Sequence, residues 1–196
     1  RLRCSFDPAD FSPRHTWETL AAVAVNQSLD AVVVAGDLVD SENRYAEAFG
    51  AVESVATTLA ESDIPLVVVA GNHDADVLPD LADAIDNLQL LGRDGTWERT
   101  SITDTNGDSL LHLEGWSFPG RYYHDSPLAT YDLNDDGVPR LGIVHADVSD
   151  EDRYAPVTVD ELATSGHTAW VLGHLHVPGP RHDNPPVLYP GSLQPL

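Results

Sequence analysis

The sequence predicts an α/β protein with a mixed core of two β-sheets and helices packed outside it. Three observations carry this. In the first half, β-branched apolar runs alternate with helical patterns, the rhythm of parallel strands joined by crossovers. In the second half the apolar runs shorten and are separated by Gly, Asn and Asp turns, which predicts antiparallel hairpins. Several runs also end alike, in a tight polar turn, so that their following loops share one edge of a sheet.

Residues 15–28 set Trp17, Leu20, Ala21 and Ala24 on one face, the spacing of an amphipathic helix. Residues 31–35 (AVVVA) read as a buried strand that stops at Gly36. Residues 45–59 form a second helical pattern, with Phe49, Val52, Val55, Ala56 and Leu59 inward, and 66–70 (LVVVA) repeat the buried strand. Residues 78–88 predict a third helix, with Asp near its start to suit the helix dipole. Short strands follow at 97–100, 109–113, 115–118, 141–144, 169–172 and 187–189. The longest irregular piece, 125–139, predicts a surface loop. With no repeat, low-complexity tract or linker, 196 residues predict one domain around one core.

Thirty-two acidic residues face ten basic ones, for a formal net charge of −22. All ten are arginine, and Asp outnumbers Glu 23 to 9. The acids are scattered rather than run together, which fits a surface solvated by carboxylates in very high salt better than one acidic docking patch. A cytoplasmic protein of a salt-accumulating microbe is the expectation. Cys4 is alone, which excludes an internal disulfide and fits a reducing interior. No apolar run approaches the ~20 residues of a membrane span, and no stretch reads as a signal peptide.

Four segments pair a strand with a polar turn: Gly36-Asp37-Leu38-Val39-Asp40, Gly71-Asn72-His73-Asp74, Val144-His145-Ala146-Asp147 and Gly173-His174-Leu175-His176. A carboxylate, an amide oxygen and several imidazoles meeting at one edge suit Mn²⁺, Fe or Zn²⁺ better than the all-oxygen cages of Ca²⁺ or Mg²⁺. Singly, each segment is an ordinary turn. In this order they resemble the calcineurin-like metallophosphoesterases, whose motifs run GD, GNHD, H and GHxH. That resemblance implies a four-layer α/β/β/α fold with a β-sandwich core, and two divalent metal ions, most often Mn²⁺. It implies that Asp37 bridges both metals, that Asn72, His145 and His174 complete one, and that His176 belongs to the other. It makes His73 the unligated imidazole that stabilises the phosphoryl oxygens, with Asp74 orienting it. The implied reaction is hydrolysis of a phosphoester by a metal-activated hydroxide.

The family also opens with a D-x-H motif after its first strand, and none precedes Asp37 here. With the complete absence of Met, this predicts that an N-terminal segment carrying the motif is missing from a working enzyme. Residues 173–178 (GHLHVP), 189–193 (YPGSL), 11–20 and 29–40 resemble more narrowly the SbcD-type exonucleases of DNA double-strand-break repair. That branch implies DNA as substrate, Asp40 in the active-site loop, a homodimer, an SbcC-type ATPase partner and a capping domain beyond residue 196. A phosphodiesterase or phosphatase acting on small or protein substrates, or a non-catalytic scaffold, are the alternatives. His124, beside Tyr122 and Tyr123, is a candidate substrate contact. His112, His167 and His182 have no motif context and read as structural or exposed, and the EF-hand-like run from Asp132 lacks its closing Glu.

Overall fold

The chain, as a computed structural model, is described over residues 12–40, 45–148 and 154–193, without the side chains of 45–47. Cys4, Asp7 and Asp10 lie outside the described residues. Helix α1 (Pro13–Asn26) starts at Ser12, whose hydroxyl accepts from the His15 N–H, and buries Trp17, Ala21 and Ala24 as its spacing predicts. Then come β1 (Val32–Ala35), α2 (Tyr45–Ala60), β2 (Leu66–Val69), α3 (Leu78–Ala84) and β3 (Leu88–Leu90). The three strands form a parallel sheet in the order β1-β2-β3.

Helix α3 is shorter than the periodicity predicts, and β3 takes the residues assigned to its tail. Ile85 turns extended and Asn87 adopts φ +65°, a conformation Asn tolerates better than most side chains. The Asn87 amide donates to Ala56 O and Ile64 O, which ties the turn to the rest of the layer. Leu88 and the residues after it then gain a parallel partner in β2.

The second sheet runs β4-β5-β6-β7-β9-β8. Strands β4 (Trp97–Thr103) and β5 (Ser109–Trp116) make the expected hairpin around a 104–108 turn in which Asp104 accepts from the N–H groups of Asn106 and Asp108. Strand β5 runs on through Gly115, joining two strands read separately. The centre of this sheet departs from the hairpin expectation: β5, β6 (Arg140–His145), β7 (Ala169–Gly173) and β9 (Pro186–Tyr189) pair in parallel. The antiparallel strands stand at the two edges, β4 at one and β8 (Gly179–Asp183) at the other. Helix α4 (Val159–Thr164) is held open at its start by a capping box between Thr158 and Glu161.

Strand alternation sorts the core into layers. Ala35, Val67, Val69, Leu113 and Ile143 meet between the sheets. Val32, Leu66, Val68 and Leu88 face α1, α2 and α3 through Trp17, Val52, Val55 and Leu59. The outer face of the second sheet carries Trp97, Trp116, Val144, Trp170 and Leu172, covered by Leu162 of α4 and by irregular segments. This is the expected mixed two-sheet α/β architecture, with a thin fourth layer. Segment 125–139 is the largely exposed loop that the sequence predicts, and it also lends cover to that layer: Trp97 Nε1 donates to Pro127 O, and Tyr131 stands edge-on to Trp97 at 5.2 Å. Two of its four acids are engaged too, Asp135 with Arg140 and Asp136 with Arg99 and His112. No helix among the described residues is long and apolar enough to cross a membrane.

Candidate metal centre

The alternation that builds the inter-sheet core also places the site. Along β6, Leu141 and Ile143 point toward the first sheet, and so does His145, the last residue of the strand. There its Nδ1 lies 3.0 Å from the Ala35 carbonyl at the end of β1. Gly173 stands beside it in register on β7. A Cβ at Gly173 would overlap the Ala35 carbonyl and crowd the His145 ring. Gly173→Ala is therefore expected to cost about 1–3 kcal/mol, the usual cost of overpacking, and to weaken divalent-cation stabilisation as well. Thermal melts with and without Mn²⁺ measure both.

Asp37 follows β1 in a left-handed conformation (φ +53°), and His174 follows β7 at φ +94°. Two non-glycine residues held in this sparsely allowed region at one edge mark backbone kept in place by its surroundings. The Asp37 carboxylate accepts from the His73 N–H at 3.0 Å and reaches within 3.4 Å of His145 Nε2. Asn72 Oδ1 lies 3.0 Å from the same nitrogen. His174 packs edge-on to His145 with ring centroids 5.3 Å apart, and the Phe118 ring closes another side at 5.7 Å.

The protonation of His145 bears directly on a cation. Burial pushes its pKa down to about 4, outweighing Asp37 and the Ala35 carbonyl, so the ring is neutral near neutral pH. With Nδ1 donating to Ala35 O, Nε2 carries a lone pair. It faces the Asn72 carboxamide oxygen and the Asp37 carboxylate, which are also acceptors. Three electron-pair donors converge with no proton to share, the arrangement that a divalent cation satisfies. His174 is held below its ordinary value first by burial, against Asp147 and Asp37, which keeps its ring available in the same way. The donor set fits a metal. Among the described residues no three His, Cys, Asp or Glu side chains make a metal-holding group by themselves; the amide oxygen of Asn72 would have to join any such set.

The remaining predicted residues divide. His176 extends beyond His174, exposed, with Nδ1 2.7 Å from Ser192 Oγ in the turn after β9. His73 is exposed at the mouth, and the carboxylate near its Nδ1 is Asp40, at 3.9 Å. Asp74 departs from its expected task of orienting His73. Its oxygens accept from the Leu38 and Gly71 N–H groups, both at 2.7 Å, so it clips the two loops together. Burial and then the charge of Asp37 push its pKa up to about 7, against those N–H groups and that of Val39. His124 lies outside this cluster, on the segment after Phe118. Sequence reasoning missed Asp147, buried with Oδ2 3.8 Å from His174 Nε2, and Tyr154, whose ring lies 5.1 Å from that of His174. Asp147 stood inside a quoted motif segment; nothing in the sequence singled out Tyr154.

Comparison with known proteins gives the family and the fold. The family model of the calcineurin-like phosphoesterases matches residues 10–178. An uncharacterized metallophosphoesterase of Bacillus subtilis, YhaO, is 29% identical over 180 residues, covering 87% of this chain and 43% of its own length. The DNA double-strand break repair protein Mre11 of Methanosarcina mazei is 35% identical over 79 residues, 40% of this chain and 13% of that protein. The chain thus spans less than half the length of these relatives. Two solved structures share the fold: TT1561 of Thermus thermophilus (TM-score 0.56, 12% identity, 91% of this chain and 84% of that one) and a dimetal phosphatase from Danio rerio (TM-score 0.54, 13% identity, 90% and 76%). With the matched span running from the helix before β1 to the turn after His176, the chain belongs to the calcineurin-like phosphoesterase family.

Proposed function

We propose that this domain is the phosphodiesterase of a DNA-end-processing nuclease that works with Mn²⁺. Metal-dependent phosphoester hydrolysis follows from the family. The observation that carries the assignment of this edge is the proton-free meeting of Asp37, Asn72 and His145 at the seam of the two sheets. Asp37, Asn72, His145 and His174 would hold one cation, and Asp37 with His176 would contribute to a second. Two such cations, when bound, polarise a phosphoryl group and lower the pKa of water toward neutrality. The chain itself supplies the rest. Ala35 fixes the tautomer and tilt of His145 through its carbonyl. Asp74 keeps the Asp37 and Asn72 loops in register. His73, exposed beside Asp40, would donate a proton to a phosphoryl or leaving oxygen.

The partial likeness to Mre11, a DNA double-strand break repair protein, supports DNA as substrate; a homodimer and an SbcC-type ATPase partner are part of the proposal and rest on the motif resemblance alone. The net charge of −22 opposes a polyanion in dilute buffer. At molar salt the Debye length is about 3 Å, and that long-range repulsion is largely removed. The test runs single- and double-stranded DNA beside a small chromogenic phosphodiester, with Mn²⁺ in molar salt. DNA cleavage that chelation abolishes is expected. Turnover of the small ester with intact DNA would overturn the nuclease reading, and inactivity on both at full Mn²⁺ occupancy would favour a scaffold.

A further inference from the structure

A run of rings leads away from the metal centre. Beyond His174 comes Tyr154 at 5.1 Å, then Tyr122 at 6.0 Å and inclined 29° to Tyr154, then His124 at 6.5 Å from Tyr122 with ring planes only 2° apart. The backbone holds this run in place. Ala155 N donates to Tyr123 O at 2.8 Å, Tyr123 bridges Tyr154 in parallel, and Asp147 N donates to Tyr154 O at 3.1 Å. Tyr123 turns its ring inward onto Trp116, 4.8 Å away. Extended-chain alternation then throws Tyr122 and His124 to the other side, one i, i+2 step apart. Tyr122 is 58% exposed there, which leaves much of a large flat ring in water.

A cationic residue adjoins these rings in the sequence. Among the described arginines, Arg14, Arg93, Arg99 and Arg140 pair with carboxylates, and Arg181 lies over the Tyr189 ring. Arg121 is exposed, with no ion pair recorded among the described residues. In a chain of net charge −22, an exposed arginine next in sequence to Tyr122 is available to a phosphate.

We propose that Tyr122 and His124, backed by Tyr154, form a stacking platform for an unpaired nucleobase, with Arg121 taking a neighbouring phosphate. The inference rests on the nuclease reading above and sharpens it: the DNA end reaches the metal centre single-stranded. A base inside a duplex has both faces covered, whereas an unpaired base offers a π-face to any aromatic ring regardless of sequence. Stacking also gains nothing from counterion release. It is therefore a way for a strongly acidic protein in high salt to hold a polyanion.

The test uses the full chain with Mn²⁺ and a short single-stranded oligonucleotide whose end nucleotides are either natural or abasic. Tyr122→Ala is expected to raise KM for the natural end by roughly 5- to 150-fold, the usual range for losing one base–aromatic stack. Tyr122→Phe and Tyr122→Trp should stay near wild type, and His124→Ala should shift KM in the same direction by a smaller factor. The penalties of Tyr122→Ala and of the abasic end should not multiply, because both remove one contact. Multiplicative penalties, or equal losses in the Ala and Phe variants, in an enzyme that still cleaves the oligonucleotide, overturn the platform and leave the nuclease reading standing. A wild-type enzyme that hydrolyses only non-nucleotide phosphoesters removes both together.

Discussion

Asp37→Asn is expected to release both cations together and to lower phosphodiesterase turnover by about 10³-fold. That corresponds to the several kcal/mol of transition-state stabilisation that metal ions supply. The substitution keeps an oxygen that can accept from the His73 N–H, so the local backbone has no reason to move. What it removes is the negative charge 3.4 Å from His145 Nε2. The same charge contributes to pushing the buried Asp74 carboxyl up to about 7, after burial itself. Its loss should relieve repulsion in the metal-free protein. The metal-free variant is therefore expected to melt no lower than metal-free wild type, whereas Mn²⁺ should raise the melting temperature of wild type alone. Metal analysis and paired melts check this. A variant that keeps one full equivalent would show that the two cations do not share Asp37. Unchanged metal content would place the centre elsewhere.

The sequence disclosed this centre unevenly, for physical reasons. Side chains able to donate to a metal are rare enough in combination that Asp37, Asn72, His145 and His174 stood out as candidates from their motifs, and the structure brings these four to one edge. What it could not disclose is what backbone atoms do. The Ala35 carbonyl that sets the His145 tautomer belongs to a residue of no chemical distinction. The Leu38 and Gly71 N–H groups that take both oxygens of Asp74 turn a residue that looks catalytic into a clip between loops. Tyr154 meets His174 only because two loops pair by backbone bonds.

The fold shows the same division. Strands β1 and β2 are buried on both faces, and their β-branched runs were legible. Strand β3 continued an apolar pattern compatible with a helix, and only Asn87, which can enter the left-handed region, marked the break. Helix α4 is six residues long, too short for a periodicity to register, yet its Thr158–Glu161 capping box is a local signal that would have found it. Strand β8 carries Arg181, His182 and Asp183, and no apolar alternation announces an edge strand of that composition.

Glu114→Ala is expected to destabilise the fold by about 3–5 kcal/mol, the penalty for stripping one partner from a buried charged network. That is a fall in melting temperature on the order of 10 °C for a domain of this size. Glu114 is fully buried on the outer face of β5. It accepts from Arg99 through Oε1 and from Tyr131 and His167 through Oε2. Arg140, also buried, donates to the Tyr131 hydroxyl. Burial alone would raise the Glu114 pKa, but the hydrogen bonds from His167, Tyr131 and Arg99 outweigh it and hold the group at about 2. Because the folded value lies below the ordinary 4.5, the stabilisation is fully present above that pH. It is lost as the pH falls from about 4.5 toward 2. Acid melts of wild type should therefore show a drop in stability across that window, and Glu114→Gln, which cannot ionise, should flatten it. Phosphodiesterase activity of the folded variant at neutral pH separates this network from the metal centre. If Glu114→Gln retained the full acid dependence, the stabilising carboxylate would have to lie elsewhere, and the segment 125–139 would be held down by its aromatic contacts with Trp97 rather than by charge.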